Sequence, residues 1–129
     1  MLKNLKKYVV LALAACILFG GASSVAKADS FYFDLSGYGD SDSTSLAKGN
    51  ALSYASGQVS RGNLSSSNYM NFTLYDSTMS NMISNSTKMT SNRSFQLRYT
   101  VVTPSNGDIV FLKASTGYYD AYASGTWTP

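Results

Sequence analysis

Histidine and glutamate are absent from this chain, and cysteine occurs once, as Cys16. Without histidine there is no general base for a Ser-His-Asp or Cys-His mechanism, and no His- or thiolate-bound zinc site can be assembled. Glycoside hydrolysis needs two carboxyls whose pKa values are held apart. All seven acids here are Asp, and none stands among apolar neighbours that would single it out as the acid. No catalytic, cofactor-binding or metal-ligating residue is assigned, and the expected activity is not enzymatic. A sustained 3.6-residue apolar period and internal repeats are also missing, which argues against a helical or solenoid fold.

What is present begins with an export signal. Lys3, Lys6 and Lys7 form a basic start, Tyr8 to Phe19 is an uncharged and mostly apolar run, and Gly20 and Gly21 break it. Ala26-Lys27-Ala28 is then a small-x-small pattern that signal peptidase accepts. Residues 1–28 therefore read as a cleavable bacterial-type signal peptide, with a single secreted domain over residues 29–129. Two other readings compete. Leu13-Ala14-Ala15-Cys16 matches a lipobox, which would give a lipid-anchored form through Cys16, although apolar residues continue past the cysteine. The run from Tyr8 to Ala26 approaches membrane-spanning length, but Gly20-Gly21-Ala22-Ser23-Ser24 makes a poor spanning helix.

Removing the signal changes the charge. Lys48, Arg61, Lys88, Arg93, Arg98 and Lys113 remain against seven Asp, a net charge of −1. The basic balance of the precursor thus belongs to the signal, and neither nucleic acid nor membrane insertion is expected of the domain. With Cys16 in the signal, no disulfide is expected in residues 29–129. The core must form by packing alone, from Phe31, Phe33, Phe72, Phe95, Phe111, Trp127 and nine tyrosines.

Alternation with a period of two dominates this region. Phe31, Phe33 and Leu35 predict a first strand, followed by a loop over Gly37–Ser43. A weaker strand is expected around Leu52 and Tyr54, ending before Arg61. Tyr69–Tyr75 is the clearest strand, with Met70, Phe72 and Leu74 on one face. Met79, Met82 and Ile83 have the spacing of a short helical turn. Phe95, Leu97, Tyr99 and Val101 form another face, and Pro104-Ser105-Asn106-Gly107 predicts a turn joining that strand to Ile109–Ala114 as a hairpin. A last strand runs from about Tyr119 to Trp127. The expected fold is all-β, a small antiparallel sandwich of five to seven strands.

Several constellations mimic functional sites. Ser45-x-x-Lys48, Ser66-x-Asn68 and Lys113 to Gly117 imitate the three motifs of penicillin-recognising enzymes, a pattern that chance supplies in a serine-rich chain. Asp40 and Asp42 alternate oxygen donors as a calcium loop does, but the glycine and glutamate of such a loop are missing. The sequons at Asn63, Asn71, Asn85 and Asn92 follow from abundant Asn and Ser. The tyrosines read as cross-strand pairs on a sheet, with a carbohydrate or cell-wall stacking platform as the alternative.

One stretch carries a resemblance. Asp108-Ile109-Val110-Phe111-Leu112-Lys113-Ala114, followed by Tyr122-Ala123-Ser124-Gly125-Thr126-Trp127-Thr128-Pro129, resembles small secreted β-rich proteins of Gram-positive bacteria that are associated with lactococcin-like bacteriocins. Lys48, Tyr54 and Asn68-Tyr69 fit the same pattern, so the resemblance spans about residues 46–129. It implies a β-sandwich and a bacteriocin-like role. It implies no catalytic residues. The chain lacks the histidine and glycine content of lactococcin-like proteins, which weighs against direct antimicrobial action. Read without the family, Gly125 lets the backbone approach a neighbouring strand and Trp127 is a core residue. The expected function is a secreted binding module, bacteriocin-like, acting on a cell-envelope component or a membrane-protein receptor. The alternative is a structural surface protein that binds cell wall or polysaccharide.

Overall fold

The computed structural model describes residues 28–129. The export signal and Cys16 lie outside the described residues, as does the cleavage pattern up to Lys27. The fold is all-β, with eight strands: β1 (Asp29–Leu35), β2 (Ser41–Ala47), β3 (Tyr54–Gly62), β4 (Met70–Tyr75), β5 (Thr87–Met89), β6 (Ser94–Arg98), β7 (Ile109–Thr116) and β8 (Ala121–Thr128). They form two four-stranded sheets, in the orders β1-β8-β3-β6 and β2-β7-β4-β5. Every pairing is antiparallel. Among the described residues no helix is long and apolar enough to cross a membrane.

The alternating positions close the core between the sheets. Phe31, Phe33 and Leu35 of β1 point inward from one sheet, and Met70, Phe72 and Leu74 of β4 point inward from the other. Phe72 keys the two together: its ring lies 5.7 Å from Phe31, 6.0 Å from Phe33 and 5.0 Å from Phe95, each time edge-on. Edge-to-face contacts of this kind add to the burial itself, by about 1 kcal/mol each. Trp127 is 1% exposed, as expected of a core residue. Phe111 instead lies half-buried on the outer face of β7.

Gly125 sits where β8 passes between β1 and β3, opposite Phe31 and Val59. A Cβ there would overlap the Gln58 carbonyl oxygen and lie 2.8 Å from its carbon. The register shifts beside this position, between Val59 and Arg61, so that Ser60 bulges. Close approach of the strands therefore requires glycine at position 125.

Four sequence expectations are corrected. The loop over Gly37–Ser43 ends at Asp40, because Ser41–Ala47 is strand β2. This edge strand is held by backbone pairing to β7, and it carries no apolar alternation to reveal it. The strand expected around Leu52 starts later and runs further, over Tyr54–Gly62. No helical turn forms at Met79, Met82 and Ile83, because the Asp76 carboxylate gathers the loop around itself. It accepts from the Thr78 hydroxyl at 2.7 Å and the Asn81 side-chain amide at 2.7 Å, while Met79 adopts φ +58°. These bonds hold the Asp76 carboxyl down at about 2.

The fourth correction is topological. A turn does form at Pro104–Gly107, with Asp108 N–H donating to Ser105 O at 3.0 Å. It joins β6 of one sheet to β7 of the other, so it is a crossover and no hairpin results. Of the seven connections only β4–β5 stays within a sheet. Successive connections alternate between the two ends, as the registers require. Loops 36–40, 63–69 and 117–120 therefore gather at one end of the sandwich, and loops 48–53, 76–86 and 99–108 at the other.

Candidate functional site

Nine tyrosines lie in residues 29–129, and the fold sorts them. Each lysine among the described residues sits over one tyrosine ring: Lys48 over Tyr99 at 4.7 Å, Lys88 over Tyr69 at 4.1 Å and Lys113 over Tyr75 at 5.2 Å from the ring centre. The exposed tyrosines are elsewhere. Tyr38, Tyr118 and Tyr119 cluster at the end formed by loops 36–40 and 117–120, and Tyr32 and Tyr122 lie beside them on the outer face of β1 and β8. Tyr75 faces Phe111 in register, and Tyr32, Tyr54 and Tyr122 face Ser124, Arg98 and Asp34, so the cross-strand reading holds for these four, while Tyr38, Tyr118 and Tyr119 stand in loops outside it.

The cluster rests on a rigid base. Gly37, Tyr38 and Gly39 all take positive φ, at 82°, 55° and 78°. Gly37 is required, because a Cβ would lie 2.6 Å from the Tyr118 carbonyl oxygen and 2.8 Å from the Tyr119 carbonyl carbon. Tyr38 N–H donates to Tyr118 O at 3.3 Å, and Gly39 N–H to Gly117 O at 2.9 Å. The two loops are thus one backbone unit. Asp40 closes it from below, its carboxylate accepting from Ser36 N–H at 3.1 Å, Ser36 Oγ at 3.2 Å and Ser41 N–H at 2.9 Å. These bonds pull the Asp40 carboxyl below its usual range.

On this base the Tyr38 and Tyr118 rings meet edge-on at 4.7 Å, and Tyr118 meets Tyr119 at 5.1 Å. Tyr38 is 78% exposed. A side-chain hydrogen bond to Tyr118, then partial desolvation and the charge of Asp120, raise its phenol above the ordinary tyrosine value. At neutral pH the phenol is therefore a hydroxyl that donates as well as accepts. Asn63, Asn68 and Asp120 complete a shallow cleft of about 420 Å³ with the three rings. Asn63 also ties this cleft to the neighbouring face, accepting from Tyr122 N–H at 2.8 Å and donating through its own N–H to Tyr122 O at 3.2 Å. There Tyr32, Tyr122, Arg61 and Asn92 line a second depression.

The remaining sequence candidates are placed as follows. Ser45 and Lys48 lie on and after β2 toward one end, while Ser66 and Asn68 lie at the other, so the penicillin-enzyme mimic is not assembled. Lys48 is 1% exposed and its ammonium donates to Leu52 O at 2.8 Å and Asn50 Oδ1 at 3.1 Å. Desolvation lowers its pKa, and its role is to fold the 48–52 loop. Asp40 serves its own loop, Asp42 accepts from Ser43 N–H at 2.8 Å, and among the described residues no three His, Cys, Asp or Glu side chains converge as a metal site would need.

The signal that could have found this cleft was Gly37-Tyr38-Gly39 facing Gly117-Tyr118-Tyr119. Aromatic residues between glycines do not extend a strand, so they belong to turns and are displayed there. Compared with known proteins, the chain matches no family model, no curated protein and no solved structure.

Proposed function

We propose that residues 29–129 form a secreted, non-enzymatic binding module that engages the cell envelope through its tyrosine cleft, with envelope glycan as the ligand. The observation that carries this reading is the cluster of Tyr38, Tyr118 and Tyr119, held in solvent on a hydrogen-bonded pair of loops. These rings lie outside the core. A pyranose ring presents an apolar C–H face that stacks on an aromatic ring, and hydroxyls at its rim that need polar partners. Tyrosine supplies both in one side chain, and Asn63, Asn68 and Asp120 add amide and carboxylate groups around the cleft. A net charge of −1 removes the electrostatic attraction that drives lytic cationic peptides onto anionic membranes.

Bacteriocin-like inhibition is the second reading. The resemblance at Asp108–Ala114 and Tyr122–Pro129 favours it, and it would act through the same envelope contact. The experiment uses residues 29–129, which contain all eight strands. The protein is incubated with purified Gram-positive cell walls and sedimented, and is also spotted on lawns of related strains. Wild-type protein is expected to sediment with walls and to remain bound at moderate salt, since little of the contact is ionic. Tyr38→Ala and Tyr118→Ala are expected to lose sedimentation with unchanged circular dichroism. Sedimentation by both variants at the wild-type level, or none by wild type, overturns the glycan reading. Inhibition of lawns that is independent of these tyrosines moves the function to the bacteriocin-like reading with another receptor surface. Intact-mass measurement of culture supernatant checks export, with a chain starting at Asp29 expected and a cell-bound lipid form at Cys16 refuting it.

A further inference from the structure

The exposed apolar side chains are segregated by chemistry. Among the described residues, all five strongly exposed aromatics are tyrosines in or beside the cleft. The five exposed large aliphatic side chains among the described residues all lie at the opposite end of the sandwich, and four of them gather together: Val101 (76% exposed), Val102 (71%), Met82 and Ile109. They line a groove of about 550 Å³ between loops 76–86 and 99–108. Aliphatic side chains offer no hydrogen bonds and no ring for a sugar to stack on. What they complement is other aliphatic surface.

The groove's charge is equally one-sided. Asp76 and Asp108 line it, and no Lys or Arg does. The Asp76 carboxylate stays ionised at neutral pH because its hydrogen bonds hold it at about 2. We infer that this groove docks a polypeptide partner, through a segment that presents aliphatic side chains flanked by Lys or Arg. The other occupants fit less well. A second copy docked groove to groove would set two acidic rims against each other. An anionic bacterial membrane would meet the same carboxylates, with no basic residue in the groove to hold its headgroups. The module is thus two-ended, with hydroxyl-rich ligand at the tyrosine cleft and a cationic-aliphatic protein segment at the valine groove. The second site does not depend on the first.

A phage-displayed library of random linear peptides, panned on residues 29–129, tests this. Enriched sequences should combine aliphatic residues with Lys or Arg. The corresponding synthetic peptides should bind the Val101→Ser/Val102→Ser protein at least about tenfold more weakly. These side chains are exposed in a loop, so the variant is expected to keep the wild-type melting temperature. Asp108→Asn should weaken the cationic peptides several-fold, and Tyr118→Ala should leave their binding unchanged. The proposal is overturned if no sequence is enriched, if enriched sequences are acidic or uncharged, or if the double-serine protein binds them equally. It is also overturned if sedimentation velocity shows a dimer that the double-serine change abolishes, or if phosphatidylglycerol vesicles capture wild type and not that variant.

Discussion

Tyr99→Phe should stabilise this protein. Tyr99 follows β6 with its ring 8% exposed, and its hydroxyl has no hydrogen-bond partner among the described residues. A buried hydroxyl left unpaired costs about 1–3 kcal/mol of desolvation, which removal of the oxygen recovers. The phenylalanine ring would keep its place under the Lys48 ammonium, 4.7 Å from the ring centre. The net gain should be about 1 kcal/mol, a rise in melting temperature of about 4–8 °C for a domain of this size. The same burial pushes the Tyr99 phenol up to about 12. Because the folded pKa exceeds the unfolded value, the native state holds this proton longer. The stability linked to it is complete below pH 10 and is lost as pH rises toward 12. The loss should reach about 2 kcal/mol, less than the full shift implies because water reaches part of the ring. Lys48, with its pKa lowered by desolvation, has the opposite slope below 10.5, so the comparison is made above that pH. Thermal melts and urea titrations of both proteins at pH 7, and from pH 10.5 to 12, supply the test. A lower melting temperature for Tyr99→Phe, or an alkaline profile identical to wild type, would refute the reasoning.

Substitutions at three further positions probe the frame. Lys48→Ala leaves the Leu52 carbonyl without its side-chain donor, removes one of the two donors to Asn50 Oδ1 and opens a void beside Tyr99; it should cost about 2–4 kcal/mol in urea unfolding. Lys48→Met, which refills the volume but not the hydrogen bonds, should fall between the two. Trp127→Ala empties the largest fully buried side-chain site and should cost about 3–5 kcal/mol, seen as loss of near-ultraviolet circular dichroism at 37 °C. Gly125→Ala pushes a methyl group into Gln58 of β3 and should cost about 3 kcal/mol, read as a lower urea midpoint.

How much of this was legible in the sequence depends on whether side chains or backbone did the work. β1, β4 and the start of β6 announced themselves because one face is buried and the other wet, so Phe31-Phe33-Leu35, Met70-Phe72-Leu74 and Phe95-Leu97 read directly as core. The alternation misled at Val101, where the chain has already left the sheet and the side chain faces water. β2 was illegible for the opposite reason. Ser41–Ala47 gains its strand conformation from hydrogen bonds to β7, and backbone hydrogen bonds leave no mark on side-chain type. The false hairpin at Pro104–Gly107 shows a third limit. Turn residues report a local reversal, whereas the choice of sheet is made by distant strands, here β3 for β6 and β4 for β7. The cleft was half-visible. Its tyrosines were in view, but their separation from the lysine-stacked ones depends on loops 36–40 and 117–120 meeting in space.

Many of the residues behind the resemblance to bacteriocin-associated proteins have structural roles. Gly125 lets β8 pass close to β3, Trp127 fills the core, and the Pro129 carbonyl accepts from Asn50 Nδ2 at 3.1 Å. Lys48 holds Asn50 in turn, so the early lysine and the final proline belong to one buried hydrogen-bonded chain. Tyr69 lies under Lys88. Of the residues that carry the pattern, Asn68, Tyr122 and Ser124 border the tyrosine surfaces and Asp108 and Ile109 border the valine groove. A motif composed this way serves mainly to close the sandwich and says little of what the sandwich binds. Proteins sharing it would share the register of β8 and the 48–52 clasp. Their ligands would be set by what stands at positions 38, 118 and 119 at one end and 101 and 102 at the other, none of which the motif contains. The tyrosine cleft and the valine groove are therefore where two such chains should first be compared when their functions differ.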